Sequence, residues 1–493
     1  MRRVAMIYDR LKDVIRVLLP KGRFARSVAV LAGGAALGQA ITVLVSPVLT
    51  RLYAPEDLGI LAVYSSILGI ISVIAGWRYE LAIPLPEREK DAVNLAMVSL
   101  GIVVFMSFLV GFVVWLWGEQ IVRWVNAPVL QRYLLILPLG VLLVGSYQVF
   151  NYWAVRKQAF EIIARTRLYQ GLGAVTTQIS LGLLKPLPLG LLLGHVAGQA
   201  AGVSTLLRVF WKQAKDYWGH INASDLVRIS RRYARFPLFA SWAGILNTLG
   251  VQIPILLISS LFGTTLTGFY LLSYRVLWLP TQLVSQSISQ VLLSAGAEAT
   301  HKGDAANLAM FVFRRLLLIG VPCFGLIGLL APDLTPLVFG PNWKEAGLIM
   351  QWLVPWIFSV FVASPLSVFS IILEKQPQEA CFQGLLLTSR VTALLGGRAL
   401  DSVHTAIGLF SLVSTLCWIG YLVWIFKLVD APLRMCAILV IREFIINSFL
   451  FSPMILIRRS FPSSVWFLLG AAAAFALATT RVILVLVKEK SDV

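Results

Sequence analysis

An arginine and three glutamines follow one another at helical spacing in a long apolar stretch near the middle of the chain. Arg275 is followed by Gln282, Gln286 and Gln290, at offsets of 7, 11 and 15 residues. At 100° per residue the three glutamines project within roughly 60° of Arg275 on one helix face. An arginine inside a bilayer faces a bundle interior or a watery cavity, and its guanidinium binds oxyanions through paired hydrogen bonds. The spacing therefore predicts an anion-binding face lined by amides.

Other apolar stretches carry polar side chains at similar spacing. Gln39 begins a stripe with Thr42 and Ser46, and Gln383 precedes Arg390 by seven residues on one predicted helix face. Because lipid would not tolerate such groups, we expect them to face the same cavity. Asp401 could pair with Arg390, although it is predicted to lie at the outer edge of the membrane. The further predicted lining residues are Gln39, Asn247, Gln252, Gln383 and Arg390.

Two more arginines each have two interpretations. If its helix is continuous, Arg78 lies roughly 29 Å along the axis from Gly59, near the cytoplasmic interface. There it could snorkel to the interface or form a contact of a cytoplasmic gate. Arg51 could contact substrate at the outer rim, or it could pair with Glu56 or Asp57 in the same turn.

The composition is that of a polytopic helical membrane protein. Hydrophobic residues make up 58% and charged residues 13%, and the mean hydropathy is +0.83. Apolar runs of about twenty residues are long enough to cross a bilayer as helices. We predict an all-α protein with fourteen spans, at 27–49, 58–81, 92–117, 130–153, 168–184, 188–210, 236–259, 267–293, 314–331, 346–370, 380–397, 402–426, 435–457 and 464–487.

The distribution of positive charge predicts the orientation in the membrane. The net charge is +19, and most of the 42 lysines and arginines fall in segments on the same side as the N-terminus. The positive-inside rule places that side in the cytoplasm, so a nucleic-acid partner need not be invoked. Residues 1–26 form a basic segment predicted to lie on the cytoplasmic leaflet as an amphipathic helix; a cleaved signal peptide, the competing interpretation, is disfavoured because the first apolar run is too long.

A weak internal repeat indicates two related lobes. Arg23 to Arg26 match Arg232 to Arg235, and Gly59 matches Gly268, in one ungapped register of 209 residues. Chance similarity between apolar helices is the alternative. The resulting domain prediction is a basic segment 1–26, an N-lobe 27–210, a basic cytoplasmic linker 211–235, a C-lobe 236–426 and an accessory helical hairpin 427–493. Many transporters place their substrate site between such repeats.

No enzyme motif is apparent in the sequence. It lacks a phosphate-binding glycine loop with lysine, a nucleophile elbow and metal-like spacing of histidines or cysteines. We therefore predict a non-enzyme with no cofactor and no metal site. A cavity that carries cations favours an anionic substrate.

Several motifs, in order, resemble a known family. They are RLYAPEDLG from Arg51, RYELAIPLP from Arg78, SLFG from Ser260 with GFYLLSYRVLWLP from Gly268, and FGPNWKEAG from Phe339. This series is similar to the oligosaccharide flippases of polysaccharide biosynthesis, in the multidrug/oligosaccharidyl-lipid/polysaccharide exporter superfamily. The resemblance covers roughly residues 25 to 425.

The resemblance implies two six-helix lobes around a central cavity that work by alternating access in the inner membrane. It implies an undecaprenyl-pyrophosphate-linked oligosaccharide as substrate and, as partners, the bilayer, a polysaccharide polymerase and other assembly proteins. Relatives of this kind hold the pyrophosphate with cavity arginines; Arg275 matches that role by position, and Arg390 and Arg78 match it less closely. The hairpin at 435–487 departs from a common twelve-span pattern and either packs on the lobes or forms a lipid groove.

Two alternative functions stay open at this point. One is a cation-coupled small-molecule exporter of the same fold, although the first span lacks the acidic residue that this branch commonly uses. The other is a membrane polysaccharide polymerase, which would normally need a large outer loop. The sugar and the polymer, whether O-antigen, capsule or exopolysaccharide, are not specified by these residues.

Overall fold

The structure of the protein is a computed structural model. It describes residues 23–215, 217, 222–400, 402–460, 470, 473, 476–477, 479–482 and 484. The predicted amphipathic helix before Arg23, Asp401 and most of the last predicted span therefore lie outside the described residues.

The predicted all-α class is confirmed, with no strand in the described residues. The α-helices are α1 Arg23–Leu52, α2 Pro55–Ser72, α3 Glu89–Trp124, α4 Ile136–Arg156, α5 Phe160–Leu184, α6 Pro188–Ala214, α7 Ala223–Arg232, α8 Ser241–Phe262, α9 Thr264–Pro280, α10 Gln286–Lys302, α11 Ala305–Phe339, α12 Lys344–Leu366, α13 Val368–Ile372, α14 Gln376–Ala399, α15 Val403–Leu428 and α16 Leu433–Ser460. By length and composition, 8 helical segments of the described chain could cross a membrane. The count of fourteen stays a prediction.

The chain divides into two compact units, of which the first ends at Leu272 and the second begins at Ser273. The division falls inside α9. The lobes, linker and accessory hairpin predicted from the sequence repeat stay a prediction.

In the first unit, α1 packs on α5 and α5 packs on α6. Small residues permit the α1–α5 contact. A Cβ on Gly34 would lie 2.6 Å from the Cβ of Ala164, and a Cβ on Gly38 would lie 2.8 Å from the carbonyl oxygen of Arg167. Small residues at such crossings let helix backbones approach each other closely, as is common in membranes.

One very close crossing among the described helices of the first unit joins the two glycines of the sequence repeat. A Cβ on Gly59 in α2 would overlap the carbonyl oxygen of Thr264, and a Cβ on Gly268 in α9 would overlap that of Pro55. Pro55 and Thr264 begin their helices and are themselves 209 residues apart. The contact is therefore reciprocal under the repeat, because each glycine meets the first residue of the helix that carries the other.

The linker helix α7 lies against the start of α3. Arg228 donates to the Asp91 carboxylate at 2.6 Å, and Lys90 pairs with Asp225 at 2.8 Å. Ile229, next to Arg228 in the same helix, is fully buried. The basic linker is thus attached to the first unit by both charge and apolar packing.

In the second unit, α11 packs on α12, α12 on α15, and α14 on α15. The last described long helix, α16, packs on α11 and more lightly on α15. Between these helices lies a cavity of about 670 Å³ whose lining is almost entirely apolar.

Two predicted spans differ from the structure. The span predicted over 58–81 ends as a helix at Ser72, and turns and a 3₁₀-helix, Tyr79–Ala82, follow it. Arg78 is therefore not on a helix, and its predicted depth along the axis is wrong. The span predicted over 267–293 contains a π-helix, Thr281–Ser285, directly after Pro280. Proline removes a backbone donor and clashes with the preceding turn, which accounts for the altered helix at that point.

Replacing Gly59 or Gly268 by alanine should lower the melting temperature of the purified protein in detergent. The added Cβ must push a helix backbone away, and overpacking of this kind costs about 1–3 kcal/mol. Gly101→Ala in α3 is the matched control because nothing lies within 4 Å of its added Cβ. That control should melt at the same temperature or higher. If Gly59→Ala melts like the control, the crossing is not as close as described.

Candidate functional site

Arg390 is buried among aromatic rings in the second unit. Its side chain is 6% exposed, and its Nε donates to the Ser414 hydroxyl at 3.1 Å. The guanidinium carbon lies 4.8 Å from the ring centroid of Trp356 and 5.6 Å from that of Phe410. A desolvated cation over aromatic faces is stabilised by about 2 kcal/mol. The structure thus gives Arg390 internal partners, while its candidate partner Asp401 lies outside the described residues.

The aromatic rings around Arg390 continue toward α9 as an aromatic row. Tyr274 stacks on Trp356 at 6.0 Å and on Trp278 at 5.2 Å, and Trp356 packs edge-on against Phe410 at 5.0 Å. Tyr274 is also close enough to Arg390 to interact with it electrostatically. Through these ring contacts Arg390 is connected to Tyr274, the residue that directly precedes Arg275.

Arg275 follows Tyr274 on α9 and is half-buried. In the part of the chain that the structure describes, its guanidinium has no hydrogen bond and no carboxylate partner. Two polar atoms of neighbouring elements, Trp356 Nε1 and Ser411 Oγ, are buried without a hydrogen-bond partner there as well. Buried polar groups are normally paired, so this region has capacity for a polar ligand.

The amide face predicted beside Arg275 is only partly described. Gln282 lies half-buried within the π-helix Thr281–Ser285. A π-helix changes the angular step between residues, so the regular 100° step that placed Gln286 and Gln290 on the arginine's face does not hold across it. The side chains of these two glutamines lie outside the described residues, and their role stays a prediction.

Gln383 takes part in a local network at the start of α14. Its Nε2 donates to Glu379 Oε1 at 3.1 Å, and the Glu379 carboxylate also accepts hydrogen bonds from the hydroxyls of Tyr421 and Ser370. The ring of Phe382 lies 4.4 Å from that of Tyr421. The structure therefore places Gln383 in a network that ties α14 to α15.

Among the first unit's predicted lining residues, Gln252 contacts another helix. The Nε2 of Gln252 would lie 2.9 Å from a Cβ added to Gly69 of α2. The Gln252 amide therefore packs on α2 at a position where glycine leaves room for it. Gln39 and Asn247 are exposed on their helices.

Arg51 is also exposed and donates to the Pro47 carbonyl oxygen at 3.2 Å. Asp57, its candidate partner, accepts from the Ala54 backbone N–H at 3.0 Å and caps α2.

Arg78 lies in the connection between α2 and α3 with a left-handed backbone. Trp77 and Arg78 have φ values of 48° and 60°. The guanidinium lies directly on Gly244 of α8, where a Cβ would overlap it. The position of Arg78 on Gly244 favours a contact between the α2–α3 connection and α8 over snorkelling to the interface.

Sequence reasoning missed two residues that matter for this connection, Arg156 at the end of α4 and Glu80 within the connection itself. Arg156 donates to the carbonyl oxygens of Pro86 at 2.6 Å and Pro84 at 3.2 Å, and it pairs with Glu89 at 3.3 Å. It therefore holds the connection against the end of α4. Glu80 is 1% exposed, and neither carboxylate oxygen receives a hydrogen bond from another described residue. The sequence signal for Glu80 was an acidic residue inside the apolar run that follows Arg78.

Comparison with known proteins gives one family and several related structures. A family model described as polysaccharide biosynthesis protein matches residues 48–347. The succinoglycan biosynthesis transport protein ExoT of Rhizobium meliloti (strain 1021) is 23% identical over 392 residues, 78% of this chain and 76% of that protein.

The solved structures share the fold at low sequence identity. The lipid II flippase MurJ in its inward closed conformation aligns with a TM-score of 0.72 and 10% identity, over 93% of this chain and 99% of that chain. The inward-facing conformation of a multidrug resistance MATE family transporter of the MOP superfamily aligns with a TM-score of 0.65 and 12% identity, over 80% and 94%. At these identities the likeness shows the fold alone.

Replacing Arg390 should destabilise the second unit. Arg390→Ala removes a desolvated cation–π contact and a hydrogen bond from a charged donor, which together stabilise by about 3 kcal/mol. Arg390→Lys keeps the charge but loses the planar stacking, so it should fall between alanine and wild type. Thermal unfolding in detergent measures the effect. The exposed Arg398→Ala on the same helix is the control, and equal melting of the Arg390 and Arg398 variants would contradict the packing described.

Proposed function

Because the chain belongs to the polysaccharide biosynthesis protein family, we propose that it is a flippase for a lipid-linked oligosaccharide. The proposed substrate is an undecaprenyl-pyrophosphate-linked oligosaccharide unit, moved from the cytoplasmic to the periplasmic or outer face by alternating access. The unit would serve O-antigen, capsule or exopolysaccharide synthesis, in which a polymerase and other assembly proteins are the expected partners. A multi-pass inner-membrane location with a cytoplasmic N-terminus is part of the proposal.

The observation that carries this proposal is the half-buried Arg275, whose guanidinium has no partner among the described residues. An isolated cation in an apolar helix is costly, so such residues are kept for a purpose. A pyrophosphate supplies the oxyanions that a guanidinium binds through two parallel hydrogen bonds. Arg275 is therefore the proposed pyrophosphate contact, with Gln282, Gln286 and Gln290 as proposed amide contacts nearby.

The aromatic row beside Arg275 supports a sugar-bearing substrate. Tyr274 and Trp278 are half-buried and stacked, and they present flat apolar faces close to a cation. Sugar rings have C–H faces that pack on aromatic rings, while their hydroxyls need polar partners. A site with both ring faces and amide groups suits an oligosaccharide better than a purely apolar drug.

The apolar cavity of the second unit supports a polyprenyl tail. Its lining comes from α11, α12, α15 and α16, including Phe324, Phe358 and Phe444. Polar exceptions such as Asn447 are few, and its amide donates to the Glu443 carbonyl oxygen at 2.8 Å. We therefore assign α16 to the lipid-groove role, one of the two roles expected for the accessory hairpin.

A cation-coupled small-molecule exporter is the second candidate, because the multidrug transporter structure shares the fold. Against it, α1 contains no acidic residue. A membrane polymerase is the third and least supported candidate. Whether the transported substrate is a lipid-linked oligosaccharide distinguishes the flippase from the small-molecule exporter.

Arg275→Ala should abolish translocation while leaving the protein folded and in the membrane. In cells depleted of the protein, the lipid-linked repeat unit should accumulate unpolymerised, and wild type should clear it. Arg275→Ala should clear it at least tenfold more slowly, which corresponds to about 1.4 kcal/mol or more of lost binding. Arg275→Lys should be intermediate because it keeps the charge without bidentate bonding.

Arg123→Ala is the matched control, because Arg123 is exposed and pairs with Glu119 within its own helix. Membrane levels and melting temperature establish that each variant folds. Normal clearance by Arg275→Ala would remove the pyrophosphate assignment. An unchanged lipid-linked pool with raised sensitivity to cationic drugs would favour the small-molecule exporter.

A further inference from the structure

The connection between α2 and α3 contains a backbone that ordinary residues rarely adopt. Trp77 and Arg78 are consecutive non-glycine residues with positive φ. Such a residue is strained and persists only where its surroundings hold it in place. Here Arg156 holds the residues that follow, and the Tyr79 hydroxyl donates to the Ser230 carbonyl oxygen of α7 at 3.1 Å. The fold thus keeps this strained segment, and with it Glu80, in one position.

Glu80 is enclosed by groups that do not stabilise its charge. A Cβ on Gly76 would lie 2.7 Å from Glu80 Oε2 and 3.7 Å from the Val103 side chain, so one side of the carboxyl group faces backbone and aliphatic carbon. At 1% exposure the group is shielded from bulk water. A shielded carboxylate that has no ion pair and no hydrogen bond from another described residue is strongly disfavoured relative to the neutral acid.

Arg78 is the nearest cation, yet it is directed elsewhere. Among the described residues it makes no ion pair with Glu80, and its Nε is buried without a hydrogen-bond partner. Its guanidinium lies instead on Gly244 of α8. Burial raises the pKa of Glu80 to about 7, and the hydrogen bond from its own backbone N–H and the charge of Arg78 oppose this rise only in part. Glu80 lies in the connection between α2 and α3, outside both helices.

Most other charged groups near this connection pair with each other, while Glu87 and Arg88 are exposed. The 3₁₀-helix Tyr79–Ala82 packs on α3, on α4 and on the π-helix Phe236–Ala240, which has no titratable side chain. On α4, the Tyr152 hydroxyl interacts electrostatically with Glu80 and Arg78. On α3, the charged residues near its start pair with α7 and with the end of α4: Lys90 with Asp225, Asp91 with Arg228, and Glu89 with Arg156 and Lys157.

We propose that Glu80 is a proton-binding site whose charge state controls the contact between Arg78 and α8. With Glu80 neutral, Arg78 lies on Gly244 as in this structure. When the carboxyl O–H bond breaks and the proton passes to water, the carboxylate attracts the guanidinium two residues away, and Arg78 leaves α8. Because α8 leads directly into α9, which carries Arg275, the proton would alter the helix pair of the proposed substrate contact; that last step rests on the proposed function.

Infrared spectroscopy of the purified full-length protein tests proton binding directly. The carbonyl band of a protonated, buried carboxylic acid should be present at about pH 5 and lost at about pH 8, since an ordinary glutamate titrates near 4.3. Glu80→Gln should lack this titration, and Glu119→Gln should retain it because Glu119 is exposed. A spectrum in which no carboxyl group titrates between about pH 6 and 8 would overturn the proposal.

Thermal unfolding gives a second measurement with a defined sign. An acid with a raised pKa in the folded state stabilises the fold at low pH, and this stabilisation is lost as the pH rises through about 7. The melting temperature of the wild type should therefore fall between about pH 5 and 8 more than that of Glu80→Gln. Equal slopes in the two proteins would contradict a buried neutral Glu80.

Hydrogen exchange tests the movement of Arg78. Corrected for intrinsic rates, backbone amides near Gly244 in α8 should exchange at least about fivefold faster at pH 8 than at pH 6 in the wild type. Glu80→Gln should stay slow at both values, and Arg78→Ala should be fast at both. Exchange that is independent of pH in the wild type would contradict the switch even if Glu80 titrates.

The outcome can be separated from that of the proposed function. If no variant changes the lipid-linked pool while the infrared and exchange results hold, the flippase assignment fails and the proton site stands. If Glu80 does not titrate while Arg275→Ala blocks clearance, the proton site fails and the flippase stands.

Discussion

A charged side chain in an apolar interior must be paired, stacked on an aromatic ring, or reserved for a ligand, because the low dielectric makes an isolated charge costly. The arginines of this protein show all three cases. Arg156 is paired with Glu89 and with carbonyl oxygens of the α2–α3 connection. Arg390 is stacked between Trp356 and Phe410. Arg275 has neither arrangement among the described residues, and it follows Tyr274 of the aromatic row, which makes it the proposed pyrophosphate contact.

The same constraint separates what the sequence could predict from what it could not. Long apolar runs, sparse charge and the 209-residue repeat predicted an all-α membrane fold, and both the fold and the Gly59–Gly268 crossing agree with it. Helical spacing could not foresee the π-helix after Pro280, because spacing assumes a constant angular step. Contacts between residues that are distant in sequence could not be predicted either. Arg78 meets Gly244 across more than 160 residues, and nothing local to either residue indicates that contact.

The proposed substrate site and the proposed proton-binding site lie in different parts of the chain. The second unit contains the guanidinium, the aromatic row and the apolar cavity, which suit the pyrophosphate, sugar and lipid parts of one substrate. The α2–α3 connection in the first unit contains a buried acid and a strained backbone instead. Under the proposal, a change at Glu80 acts on α8, and α9 follows α8 directly in the chain.

The crossing of α2 and α9 has the symmetry of a contact between two identical subunits. Gly59 meets the carbonyl of Thr264 while Gly268 meets that of Pro55, so each partner in the contact is the repeat equivalent of the other. Such self-complementary contacts are the rule at two-fold dimer interfaces. A side chain at either glycine would therefore push apart the same pair of helix starts, so the two positions restrict each other although 209 residues separate them.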